Sequence, residues 1–460
     1  MRDRPAPSLP IPNSGSTRVT PDGTVDLRSA TTPVRTTVFK PVDHPFLVTS
    51  LSRGPSDGSG GIGVTLMNGL DAVVRVTPTR GALHGEQTLP CLLAATGHDA
   101  TGEYRIGVGR DRSGRIPGTP IVWHYGPAQV VTRDNTFYGL QDPTQARFIT
   151  SVRTESMGAG IAIPLSGRRL TEYFSTNPGI PLEGELVLVE TDDTIKGWQT
   201  SVGRVATAGT HITETWNRAA LHSRTVPRVP GQVLPATASL GSDGTVRIFD
   251  MPMSDAEPTH VGNPDLVNGQ IASSYAVRDA KVIDSGPGAL AFAGGSIPRG
   301  TRAISATQTA TRSGAPYAYP TKLVTSFSTP LSAAIAMPRG YACATPAPCR
   351  VLPILSADYT AAVGLDNAFA KPGRQTLGIR VHQAGRTSPR GITSVAAWMT
   401  YDGTTWTKVP VTGSGGSYTA QLAVPKAAPG RTTAGLKVQV TDAAGSRLVE
   451  TVTGAFGLPR

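Results

Sequence analysis

Residues 395–411 read VAAWMTYDGTTWTKVPV. On both sides of Asp402-Gly403 the side chains are β-branched, small or aromatic. Such runs flanking Asp-Gly signal a hairpin, because glycine takes the positive φ that a tight reversal needs. The same punctuation recurs at Asp22-Gly23, Asp57-Gly58, Asn68-Gly69, Asp243-Gly244 and Asn268-Gly269. Between these turns lie runs of strand character: 25–38, 64–76, 103–108, 121–131, 185–190, 245–248, 323–327, 377–381, 395–400 and 436–441. Turn signals every ~8–12 residues between such runs mark sandwiches or barrels. No apolar stripe of helical period extends beyond about two turns. Residues 217–222 read as a single helical turn.

Composition points the same way. Glycine (52) and proline (39) make up roughly a fifth of the 460 residues, above the ~12% of ordinary chains and below the ~25–30% of low-complexity ones. With 38% hydrophobic and 16% charged residues, collagen, coiled coil, long-helix bundle and bulk disorder are excluded. The expectation is an all-β protein of two or three sandwich-like modules. Residues 1–14 form a Pro-rich lead expected to be disordered, 15–140 a first β module, and 141–349 a second β region. Residues 350–460 have the size and strand count of an immunoglobulin-like sandwich, with the Pro/Ala-rich stretch 334–348 at its boundary.

The net charge is +11 and the isoelectric point near 9.8. The charge is dispersed: only eight of the basic residues are lysine and none stand four in a row. The densest groups are Arg110, Arg112 and Arg115, and Arg168 with Arg169. No aromatic RNP-like or zinc-finger pattern accompanies them, so no specific nucleic-acid partner is expected. Diffuse positive charge does suit a polyanionic surface such as a cell-wall polymer.

Cys343 and Cys349 flank a five-residue loop with two prolines, a candidate disulfide that fits an oxidising compartment. Cys91 lies in an apolar stretch and reads as a buried small hydrophobe. Residues 1–20 have no apolar core of signal-peptide length, and no window of about 18 apolar residues occurs, so neither leader nor membrane span is expected.

Several blocks resemble one family when taken in order. Near the C-terminus these are Ile392 to Trp398, Tyr401-Asp402-Gly403-Thr404-Thr405-Trp406, Thr441-Asp442 and Ala455-Phe456-Gly457-Leu458. Upstream are Thr24-Val25-Asp26-Leu27-Arg28 with Pro33-Val34, Ile116-Pro117, Arg169-Leu170-Thr171-Glu172-Tyr173-Phe174-Ser175, Glu214-Thr215-Trp216-Asn217-Arg218-Ala219, and 321–328. From about residue 20 to 458 the chain resembles the non-catalytic C-terminal region of large secreted subtilisin-like serine peptidases of actinobacterial type. It departs from that pattern at Tyr401, at the turn after Asp442, at Phe456 and at Ser326. The resemblance implies an extracellular location and a peptidase domain lying outside this chain.

The family's D-[ST]-G, H-G-T-H and G-T-S-M motifs are absent from these residues, as is a G-x-S-x-G elbow. No catalytic, cofactor or metal residue is therefore assigned. The leading expectation is a non-enzymatic accessory region that supports the peptidase or holds substrate or cell surface near it. The alternative is a stand-alone polysaccharide or cell-wall binding module using exposed aromatics, with Trp398 and Trp406 as candidate stacking platforms and Trp198 and Trp216 behind them. A weaker alternative is a hydrolase using Glu172 and Glu214 as paired carboxylates. His211 with Glu214 lacks a zinc frame, and Asp250, Asp255 and Asp265 are irregularly spaced for calcium.

Overall fold

A computed structural model describes residues 9–11, 30–43, 45–54, 62–69, 74–79, 85–176, 184–189, 195–201, 206–225, 233–262, 272–279, 281–288, 293–314, 317–343 and 347–460. The chain is all-β: among these residues there is no α-helix, only strands and three single-turn 3-10 helices. Leu9–Ile11 is a short strand, parallel to Val74–Val76, inside the lead expected to be disordered. The turns at Asp22-Gly23, Asp57-Gly58 and Asn268-Gly269, and Asp265, lie outside the described residues.

The largest sheet has eight strands, in the order Lys281–Pro287, Ala272–Asp279, Ala303–Arg312, Thr321–Pro330, Arg447–Gly457, Thr433–Asp442, Ile392–Thr400 and Thr407–Val409. It is antiparallel throughout. Alternation explains its one-sided burial. Along Thr321–Pro330 every second side chain is buried, so one face turns inward while the other stays half-solvated. That inner face shares a core with a four-stranded sheet ordered Leu355–Ala361, Gly373–Gln383, Ser417–Val424 and Val411–Ser414. Leu323, Val438, Val452 and Phe456 meet Tyr359, Phe369, Ile379 and Leu422 in this core.

The eight-stranded sheet runs through the position expected to divide 141–349 from 350–460. Thr321–Pro330 pairs with Arg447–Gly457, and Ala238–Gly241 pairs with Cys349–Val351. The hairpin at 395–411 forms with Trp398 opposite Lys408, but its connection is longer than a two-residue turn. Asp402 accepts from the backbone N–H groups of Thr404 and Thr405, at 2.8 and 2.7 Å, and Gly403 takes φ 77°.

Upstream, a mixed seven-stranded sheet runs His211–Trp216, Val130–Phe137, Arg169–Ser175, Gly102–Ser113, Glu86–Asp99, Phe46–Gly54 and Ile62–Gly69. A five-stranded sheet ends at His260–Gly262. The run 121–131 divides into strand Ile121–Tyr125, a 3-10 turn Pro127–Gln129 and the start of Val130–Phe137. The expected helical turn at 217–222 is instead a bend leading into strand His222–Arg224. Tertiary hydrogen bonds outcompete the local ones there. Asn217, at φ 58°, donates its backbone N–H to Asp255 Oδ2 (2.6 Å) and its side-chain amide to Tyr138 O (2.7 Å). It accepts from Arg312 and from Asn367, at 2.7 and 2.8 Å. This node ties the upstream sheets to the C-terminal pair.

Candidate functional site

The carboxylates expected as a hydrolase pair are sealed inside the seven-stranded sheet. Register places Arg105, Glu172 and Arg133 directly opposite one another on three adjacent strands. Arg133 binds Glu172 at 2.7 Å and Glu214 at 3.3 Å, with all three side chains at most 1% exposed. Asn135 donates to Glu172 at 2.7 Å and accepts from Trp216 Nε1 at 2.9 Å. Burial opposes the charge on Arg133, but Glu172 and Glu214 outweigh it and push its pKa up. A carboxylate sealed from water and neutralised by a guanidinium has no substrate or water to act on. Glu172 and Glu214 are structural.

The other sequence candidates are placed as follows. His211, three residues before Glu214 on a strand, faces the opposite way and binds Asp134 at 2.7 Å on the surface. Trp216 is buried and stacks on His260 with ring centroids 3.9 Å apart. Asp255 is buried against His260 Nδ1 and two backbone N–H groups. Among the described residues no three His, Cys, Asp or Glu side chains converge as a metal site. Trp398 lies half-buried on the outer face of the eight-stranded sheet, with Lys437 Nζ 5.3 Å above its ring. Trp406 packs against Gly435, whose missing side chain leaves room for the indole. Cys343 and Cys349 form a disulfide with Cα atoms 5.8 Å apart. Cys91 is buried beside the hydroxyls of Thr36 and Thr49, and burial raises its thiol pKa.

A different place gathers chemistry that no single stretch of sequence announces. Strands Leu355–Ala361 and Gly373–Gln383 pair with Ser356 opposite His382 and Asp358 opposite Arg380. Alternation sends Ala357, Tyr359, Ile379 and Val381 into the core and leaves those four on the other face. Strand His222–Arg224 packs beside them, and the loops carrying Arg339 and Arg386 close the rim. The result is a polar cleft of about 300 Å³.

Asp358 is its floor. Its Oδ1 receives His222 Nε2 at 3.1 Å and Arg224 at 3.0 Å, and its Oδ2 receives His382 Nε2 at 2.8 Å. Burial opposes ionisation of this carboxyl. Hydrogen bonds from His222 and His382 and the charge of Arg224 prevail, holding its pKa well below the usual range. Arg224 is itself saturated, donating to the carbonyls of Asp255 (3.1 Å), His260 (2.6 Å) and Glu257. Behind the floor, Ser223 donates its backbone N–H to Glu450 Oε2 at 2.9 Å and accepts hydroxyl and amide donors from Thr325 and Gln308. Buried Asp250 completes this cluster, its pKa pushed up to about 7 by desolvation and then by the charge of Glu450.

No protein-family model and no curated protein matches the sequence. Among solved structures, the crystal structure of Pseudomonas aeruginosa OpdQ aligns over 89% of this chain and 94% of its own, at 9% identity and a TM-score of 0.12. That superposition carries no likeness of fold. The described residues contain no helix long and apolar enough to cross a membrane.

Proposed function

We propose that this chain is a non-enzymatic accessory β region of the kind that follows secreted subtilisin-like peptidases, and that it acts by holding a ligand at the Asp358 cleft. The observation that carries the reading is the saturation of Asp358. Both of its oxygens are occupied by cationic or imidazole donors and its carboxyl is held ionised, so it neither accepts nor gives a proton near neutral pH. His222 and His382 bond to Asp358 and to Ala220 O and hydrogen-bond no hydroxyl among the described residues, which supports a binding role over a nucleophilic one. The sealed state of Glu172 and Glu214 supports the same conclusion from the other half of the chain. The Cys343–Cys349 disulfide fits an extracellular setting.

Incubation with casein and with a serine-directed fluorophosphonate probe tests this. The expected result is neither cleavage nor labelling, together with retention of the chain on insoluble cell wall. Labelling of one serine, abolished when that serine becomes alanine, would overturn the reading. The positions of Trp398, under Lys437, and Trp406, against Gly435, favour packing over sugar stacking. The Trp398→Ala/Trp406→Ala double variant is accordingly expected to keep its wall binding if it folds.

A further inference from the structure

The cleft has a charge pattern that points to its ligand. Four arginines (Arg224, Arg339, Arg380 and Arg386) line it against a single acid, Asp358, leaving a formal surplus of three positive charges. Arg224 is spent on Asp358 and on backbone carbonyls, and Asp358 on Arg224, His222 and His382. The other three guanidinium groups have no ion pair and no side-chain hydrogen bond among the described residues, and Arg386 Nε is buried with no partner at all. A buried, unpartnered guanidinium N–H costs free energy unless a ligand supplies the acceptor.

Their presentation is built in. Arg380 stands on a paired strand beside Asp358. Arg386 follows Gly385, which takes φ 74°, and a side chain at Gly385 would come within 2.9 Å of Val351, so the turn sits hard against the sheet. Arg339 rides on the turn in which Tyr341 N–H donates to Pro338 O, just before the disulfide that ties Cys343 to strand Cys349–Val351. Arg339, Arg380 and Arg386 thus reach the cleft from a strand and two anchored turns, Arg339 and Arg380 exposed at its rim and Arg386 half-buried.

We propose that this cleft binds a phosphate group of a polyol-phosphate surface polymer, with Arg339, Arg380 and Arg386 supplying the hydrogen bonds. The proposal rests on the ligand-holding reading above and names its ligand. Donors from three separate segments suit a tetrahedral oxyanion, whose oxygens point in as many directions. A carboxylate offers two oxygens in one plane and uses one fork. The cleft offers no row of aromatic faces for bases, which sets a polyol phosphate above a nucleic acid.

Titration calorimetry of the full chain with glycerol phosphate, acetate and a ten-nucleotide single strand of DNA tests it. Glycerol phosphate is expected to bind saturably and to weaken at least tenfold in Arg380→Ala/Arg386→Ala, with the thermal midpoint unchanged. Arg339→Ala should weaken it by a smaller factor. Arg380→Lys should recover only part of the loss, because an ammonium lacks the planar fork. Unaltered binding in the folded double variant, acetate binding as tightly as glycerol phosphate, or the oligonucleotide binding more tightly than glycerol phosphate would each overturn the proposal. If the double variant still binds insoluble cell wall, the ligand assignment fails while the ligand-holding function stands. Enzymatic turnover of the bound ester would sink that function and leave the site.

Discussion

Replacing Asp250 by asparagine should change how stability depends on pH. Asp250 is buried between Ser223, Glu450 and His222, and its Oδ2 has no hydrogen-bond partner. Desolvation, reinforced by the charge of Glu450, lifts its pKa to about 7, against roughly 3.9 in an unfolded chain. Between those two values the folded chain keeps a proton that the unfolded chain has lost. Stability therefore falls as pH rises, by about 1.4 kcal/mol per unit, and levels off above the folded value. Three units of displacement amount to about 4 kcal/mol in all. Glu450, also raised by burial, acts with the same sign. Asp358 acts with the opposite sign, because its folded pKa is depressed, but its stabilisation is lost only as pH falls below the ordinary carboxylate range, outside this window.

Asparagine has the shape of the protonated acid and does not titrate. Urea unfolding followed by tryptophan fluorescence at pH 5, 6, 7 and 8 should show a falling midpoint in the parent and a flatter profile in Asp250→Asn. The variant should be the more stable protein at pH 8, by up to about 4 kcal/mol, with the gap narrowing toward pH 5. Parallel profiles would refute the argument, because they would mean that Asp250 carries no proton in the folded chain at pH 6. A variant less stable at every pH would refute it equally, since the side chain would then be serving as a needed anion.

Two further outcomes are expected. Arg133→Met leaves Glu172 and Glu214 as buried charges with no cation between them, and should cost about 3–5 kcal/mol in urea unfolding; a loss below 1 kcal/mol would mean that the site is wet. Cys343→Ala/Cys349→Ala should lower stability by ~2 kcal/mol, the chain-entropy value for so short a loop, and intact mass before and after reduction should differ by two hydrogens in the parent alone.

The class of fold is legible because it rests on local chemistry. Alternation along Thr321–Pro330 and the Asp-Gly turns at Asp243-Gly244 and Asp402-Gly403 each act within a few residues, and Gly244 and Gly403 do take φ near 80°. Sheet order is a different matter. Thr321–Pro330 pairs with a strand more than a hundred residues away, and nothing in either strand's pattern names the other. The 217–222 segment fails as a helix for a related reason: its polar groups bond to Tyr138, Asp255, Arg312 and Asn367, none of them local.

The functional reading is harder still, because the most recognisable residues are the ones the fold consumes. Glu172, Glu214, Trp216 and Asn217 stand in the stretches that resemble a family, and each is buried in a saturated network. Charged and aromatic groups need many partners when buried, so the positions around them are constrained and leave a pattern in sequence. The cleft follows the opposite logic. Arg339, Arg380 and Arg386 lie outside every such stretch, on a strand and two turns, and come to line one cleft only when pairing and a disulfide bring the segments together. Motif reading in this chain finds scaffold, and the groups free to meet a ligand are those that the scaffold leaves unpaired.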